Sequence, residues 1–317
     1  MTTIHGRRSQ IARLQITKLR NFMNGVVIID KPAGLTSHDV VNRVRRILGQ
    51  RAVGHLGTLD PSATGVLPIV LGNLTRLAQF YAHSEKTYEG MIRFGFATDT
   101  YDADGDPTMP QQSVQLHCDE VRALAAQFQG IIEQMPPPFS AKKIAGVPAY
   151  KLARKNKEVT LQPVQVEIKD FEILDTNVDK ATFRARVASG TYIRSVAHEM
   201  GQKLGCGAHL ASLRRTSVAE FAIKDAHSLQ ALQDAMQQGT AESLFVHPRN
   251  LVPQLPSVTA TEESASLIRS GRSVNLPEMS RAPQVKVFYG QRDLIAIATR
   301  IAGTLFHAGI VFGGSVD

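Results

Sequence analysis

Between Gly25 and Leu71 the chain passes from a short β-branched run through an amphipathic stretch to a glycine-bearing loop and back to an apolar run; no regular strand–helix–strand repeat continues from there. Gly25-Val-Val-Ile-Ile-Asp-Lys-Pro32 reads as a buried strand closed by a turn. Val40, Val41, Val44, Ile47 and Leu48 then recur at helical spacing, with Ser37 predicted as the N-cap and Arg43, Arg45 and Arg46 on the remaining faces. Segments 86–96 and 181–188 alternate as half-exposed strands do, and 119–129 and 193–204 read as helices. Helices mixed with antiparallel-looking strands, without a βαβ rhythm, predict an α+β fold.

Two stretches interrupt this regularity. Residues 135–141, Met-Pro-Pro-Pro-Phe-Ser-Ala, cannot be helix interior or central strand. The following 142–157 hold Lys142, Lys143, Lys151, Arg154, Lys155 and Lys157 without an acid, which reads as a basic insertion. A Pro-rich break at 248–256 marks the predicted domain boundary. The expected division is a basic arm over 1–22, a main domain over 23–250 with an insertion near 135–160, and a small β-rich domain over 251–317. The arm carries Arg7, Arg8, Arg13, Lys18 and Arg20 and no acidic residue, which reads as a solvated tail or a nucleic-acid-binding one.

Charge and cysteine usage narrow the function classes. Lys and Arg number 36 against 28 Asp and Glu, a net charge of +8, which suggests a polyanionic partner. No window approaches the ~18 apolar residues of a membrane-spanning helix. Two cysteines, Cys118 and Cys206, fit a reducing compartment, so a cytoplasmic location is expected; they form no metal-ligand spacing. The run Asp99-Thr-Tyr-Asp-Ala-Asp-Gly-Asp106 fails as a calcium loop, because Thr100 and Gln111 fall where acids are needed, and it reads as a solvated turn. Neither a P-loop nor a GxGxxG pattern occurs, so no nucleotide cofactor is implied.

The most informative segment is Gly54-His-Leu-Gly-Thr-Leu-Asp-Pro-Ser-Ala-Thr-Gly-Val-Leu-Pro68. Alone, its Asp60-Pro61 pair is a turn opener, and its glycines serve equally as loop punctuation or as room for a substrate beside a rigidly held carboxylate. The segment resembles the catalytic motif of the TruB family of tRNA pseudouridine synthases. Val27-Ile-Ile-Asp-Lys-Pro-Ala-Gly-Leu-Thr-Ser-His38, Lys86-Thr-Tyr-Glu-Gly90, Ser140-Ala-Lys-Lys-Ile-Ala-Gly-Val-Pro-Ala-Tyr150, Gly190-Thr-Tyr-Ile-Arg-Ser195 and Leu204-Gly-Cys-Gly-Ala-His-Leu-Ala-Ser-Leu-Arg-Arg-Thr216 resemble further family blocks, in the family's order.

The resemblance implies a pseudouridine synthase fold, a mainly antiparallel sheet flanked by helices, followed by a small PUA-like RNA-binding domain. It implies isomerisation of uridine 55 in the tRNA T loop by base flipping, N1–C1′ cleavage and C5–C1′ joining, with no cofactor and no metal. Asp60 matches the catalytic nucleophile, although whether it attacks C1′, adds to the pyrimidine or removes a ribose proton stays open. Arg194 matches its partner, and a cation at that distance lowers a carboxylate pKa. Tyr88 matches the tyrosine stacked on the flipped base, Tyr192 and Leu213 two further pocket residues, and His55 a histidine that inserts where the base has left. Lys142, Lys143 and Lys151 lie in the thumb that closes on the T stem-loop, and Lys31 either supports the site or contacts phosphate. The expected partner is tRNA, bound by a monomer without an obligatory protein partner. The arm, the 142–157 stretch and the Arg184–Arg215 stretch are the charge expected to face RNA. Two other readings are a tRNA-folding module whose catalysis is dispensable and a guide-RNA-dependent relative, against which the thumb argues.

Overall fold

The computed structural model of the chain describes residues 23–138, 143–144, 147–148 and 162–312. The predicted arm over 1–22, and with it most of the thumb, including Lys142, Tyr150 and Lys151, lies outside the described residues. Of Lys143 only the backbone is described, in β6 (Lys143–Ile144), which pairs with β7 (Val147–Pro148).

The predicted first strand is β1 (Gly25–Lys31), and the amphipathic stretch is α1 (Ser37–Leu48). The cap is Thr36 rather than Ser37: Thr36 and Asp39 form a reciprocal capping box, which places a charged acceptor in the first turn and frees the Ser37 hydroxyl for another partner. Beyond α1 come β2 (Val53–His55), β3 (Thr64–Leu71), the short helix α2 (Ala78–Tyr81) and β4 (Lys86–Phe94). The chain continues through α3 (Cys118–Ala126), β5 (Gly130–Gln134), β8 (Val164–Asn177), β9 (Lys180–Val187), α4 (Ile193–Lys203), β10 (Ala208–Val218), β11 (Phe221–Ala222) and α5 (Leu229–Gln237).

One large sheet runs in the order β1-β3-β10-β4-β9-β8-β5, with β2 on β3 and β11 on β10. Its ladders are antiparallel except where β3 meets β10, which pair parallel at Thr64–Arg214 and Gly65–Arg215. That seam joins the two halves of the sheet. Gly65 is required there: its φ is +101°, and a Cβ would lie 2.2 Å from the Arg215 carbonyl oxygen.

Residues of β1 and β3 are buried on both faces, which explains their unbroken apolar runs. Val27, Ile29, Leu67 and Ile69 pack with α1, whereas Val26, Ile28, Val66 and Val70 face a second core. That second core is completed by Phe288, Leu294, Ile297 and Phe312 of a C-terminal β-rich domain. The domain consists of β12 (Ser257–Ala260), α6 (Glu262–Arg269), β13 (Val274–Asn275), β14 (Gln284–Tyr289), β15 (Asp293–Ala302) and β16 (Leu305–Val311), its sheet ordered β12-β14-β15-β16-β13. The Pro-rich stretch 248–256 between the sheets is not an exposed linker, since Leu251 and Val252 are fully buried in the shared core.

Candidate active site

Residues 56–63 connect β2 to β3 and are fixed almost carbonyl by carbonyl. Arg215, with no exposed surface, donates from Nη2 to the Gly57 carbonyl (3.0 Å), from Nη1 to Thr58 (3.1 Å) and from Nε to Val66 (2.8 Å). The Ser37 hydroxyl accepts from Leu59 N–H (2.8 Å) and donates to Leu59 C=O (3.1 Å). Lys31, also fully buried, donates from Nζ to the carbonyls of Pro32 (2.9 Å), Leu35 (2.7 Å) and Pro61 (3.0 Å). Lys31 thus braces the loop that carries Asp60. Its ammonium has no exposed face to offer a phosphate, and burial lowers its pKa to about 8.

This scaffold presents the Asp60 carboxylate to a cavity of about 320 Å³. Asp60, Arg194, Tyr88, Tyr192, Leu213 and His55, the sequence-predicted residues, all line it. Arg194, in the first turn of α4, places Nε 3.0 Å from Asp60 Oδ2; the arginine side chain is 7% exposed and the carboxylate 41%. Arg194 Nη1 is held by Asp102 Oδ2 at 3.3 Å and by the Thr100 carbonyl at 3.1 Å. The aspartate run 99–106 is thus not wholly a solvated turn, because Asp102 is buried and turned inward to share the arginine.

Burial raises the Asp60 pKa, and the like charge of Asp102 adds to that; Arg194 opposes them without reversing the direction. The lowering expected from an arginine partner is therefore outweighed by desolvation. Burial, and after it the charge of Arg215, lowers the pKa of His55 at the end of β2. Its Nδ1 has no hydrogen-bond partner among the described residues.

Tyr88 lies opposite Arg215 in the β4–β10 ladder and Leu213 opposite Gly90. Tyr192 precedes α4, and the buried Gln134 side chain clamps its backbone, accepting from its N–H (2.8 Å) and donating to its C=O (3.0 Å). Ser195 Oγ donates to the Met135 carbonyl (2.7 Å), so the chain beyond β5 is tied to the same helix. Lys86 also lines the cavity, and burial lowers its pKa to about 8. Among the described residues no cluster of three His, Cys, Asp or Glu side chains could hold a metal ion.

Residues 45–193 match the model of the TruB family pseudouridylate synthase N-terminal domain, and 194–254 that of the tRNA pseudouridylate synthase B C-terminal domain. The tRNA pseudouridine synthase B of Solibacter usitatus (strain Ellin6076) is 45% identical over 292 residues, which is 91% of this chain and 100% of that protein. The chain belongs to the TruB family of pseudouridine synthases. The tRNA pseudouridine synthase B of Aquifex aeolicus (strain VF5) is 39% identical over 285 residues, 89% of this chain and 98% of that one. Among solved structures, a chain in the crystal structure of a Cbf5-Nop10-Gar1 complex superposes with a TM-score of 0.67 at 25% identity, covering 91% of this chain and 85% of its own.

Within this TruB-family site the sequence did not disclose Asp102, Arg215, Ser37, Gln134 or Lys86. The Arg184–Arg215 charge expected to face RNA is divided: two of its arginines lie inside the protein, and three stand half exposed in surface ion pairs. Arg194 and Arg215 are buried, Arg184 pairs with Glu89 (3.0 Å), Arg186 with Glu85 (3.5 Å) and Arg214 with Asp30 (2.8 Å). One signal for Arg215 was present: neighbours on a strand face opposite sides, so Arg214 and Arg215 could not both line one RNA-binding face.

Proposed function

We propose that this chain, a pseudouridine synthase by family, isomerises uridine 55 in the T loop of tRNA, with the Asp60 carboxylate as nucleophile. One observation carries the reading: a half-exposed carboxylate, backed by a buried arginine, stands in a cavity walled by Tyr88, Tyr192 and Leu213. Extruding a base costs a few kcal/mol. Stacking on an aromatic side chain returns about 1–3 kcal/mol per base. The volume lies at the small end of ligand pockets and suits one flipped base rather than a run of nucleotides.

Within the cavity the N1–C1′ bond breaks, the uracil turns, and C5 joins C1′; C5 releases one proton and N1 takes up one, so nothing is gained or lost overall. The ionised Asp60 stabilises or captures the electron-poor sugar carbon, as carboxylates do in glycosyl transfer. Arg194 holds the carboxylate in place and favours its charged form. The enzyme works as a cytoplasmic monomer on tRNA, with the thumb lysines on backbone phosphates; no described helix is long and apolar enough to cross a membrane.

The test is Asp60→Asn on unmodified T-stem-loop RNA. Wild type converts a single loop uridine without added cofactor, and the variant binds the RNA with unchanged Kd but forms no pseudouridine. Equal pseudouridine in both rejects the nucleophile. Tight binding by a wild type that modifies nothing supports the tRNA-folding reading instead.

A further inference from the structure

Tyr101 has a φ of +65°, a conformation that bulky residues adopt only when their surroundings enforce it. Its ring stacks on the imidazole of His198, with centroids 3.8 Å apart and planes 12° from parallel. His198 follows Arg194 by four residues on α4, so the two side chains share one face of the helix. Tyr101 itself sits between Thr100 and Asp102, the two residues that hold Arg194 Nη1. The loop therefore meets α4 twice, one turn apart, through an ionic contact and through a stacked pair. On its other side it is tied to β10, where Leu210 N–H donates to the Tyr101 carbonyl (3.0 Å) and Ala103 N–H to the Leu210 carbonyl (3.1 Å).

The charge of the loop gives the stacked contact a use. The loop also carries the exposed Asp99, Asp104 and Asp106, and Asp104 adds to the burden of negative charge on Asp60. A polyanion entering the cavity repels such a loop and weakens purely ionic attachments. A tyrosine face on a histidine face is far less sensitive to that repulsion.

We infer that the Tyr101–His198 stack is a latch that positions Asp102 and the Thr100 carbonyl on Arg194, and through Arg194 the Asp60 carboxylate, while RNA is bound. This rests on the pseudouridine synthase reading above. Tyr101 and His198 are positioning residues, since neither lines the cavity.

Tyr101→Ala should lower kcat on T-stem-loop RNA about 3- to 10-fold, the range one aromatic pair spans, with KM unchanged. Tyr101→Phe, which keeps the ring, should restore kcat. His198→Ala approaches the contact from the helix without touching the strained residue and should reproduce the loss, and the double variant should be no worse than either single. A wild-type kcat in Tyr101→Ala, or equal losses in Tyr101→Ala and Tyr101→Phe, overturns the latch. Amide hydrogen exchange on the free protein separates the two readings: faster exchange at Ala103 and Leu210 in Tyr101→Ala supports the latch even if wild type modifies no RNA. Unchanged exchange there rejects it.

Discussion

Ser37 and Leu59 form a reciprocal pair, the hydroxyl of one accepting from the N–H (2.8 Å) and donating to the C=O (3.1 Å) of the other, 22 residues apart in sequence. The first residue of α1 is thereby stitched to the residue before Asp60. Ser37→Ala leaves both peptide groups of Leu59 buried without these partners, a cost of about 1–3 kcal/mol. The expected outcome is a lowered Tm together with a kcat loss larger than Ser37→Thr produces, read by thermal denaturation and single-turnover assays.

On the proposed role of an ionised Asp60, the acid limb of the rate profile should follow this carboxylate. Because burial lifts its pKa above 3.8, the single-turnover rate should rise with pH through a midpoint above that of an ordinary aspartate. Arg194→Gln removes the largest influence that lowers the pKa, so the limb should move to higher pH. Asp102→Asn removes a like charge and should move it to lower pH, even where the maximal rate falls. Folding carries the opposite sign. The folded chain holds the Asp60 proton more tightly than the unfolded chain, so this group's contribution to stability is full below 3.8 and declines as pH rises through the folded value.

Tyr81 connects the cavity wall to the stretch that leads into the C-terminal domain. Its hydroxyl donates to Glu220 Oε1 (2.5 Å) and accepts from Val252 N–H (2.9 Å), and Val252 has a φ of +50°, unusual for a β-branched residue. Tyr81→Phe should cost about 1.5–3 kcal/mol, the range for a hydrogen bond to a charged group. A drop of several degrees in Tm, with KM for full tRNA raised more than KM for an isolated T stem-loop, is the expected pattern.

Thumb lysines are tested through salt. Replacing Lys142, Lys143 and Lys151 together by alanine should weaken tRNA binding and flatten the plot of log K against log[salt] by about 2–3 in slope. A parallel shift with unchanged slope removes these residues from the phosphate contacts.

The six cavity residues were legible because each lies in a block whose neighbours are equally distinctive; Tyr88 and Leu213 would otherwise read as strand core. What holds them was not. Arg215 reaches Gly57 across 158 residues and Lys31 reaches Pro61 across 30, and no local pattern records either contact. Asp102 was hidden among four aspartates whose alternation says only that the run is polar; the fold alone decides which one turns inward. The helix cap failed by a single residue because Thr36 and Ser37 are both competent caps, and the tie is broken by Leu59, which claims the serine. The α+β class needed only the absence of a βαβ rhythm. The seam between β3 and β10 pairs segments too distant in sequence for periodicity to join.

That seam also sets when, during synthesis, the site can be assembled. The loop bearing Asp60 emerges early, yet the guanidinium that secures the Gly57 and Thr58 carbonyls is translated 158 and 157 residues later. Until β10 arrives, the loop has only its anchors from Lys31 and Ser37, so its full set of fastenings is complete only after roughly two-thirds of the polypeptide has been made.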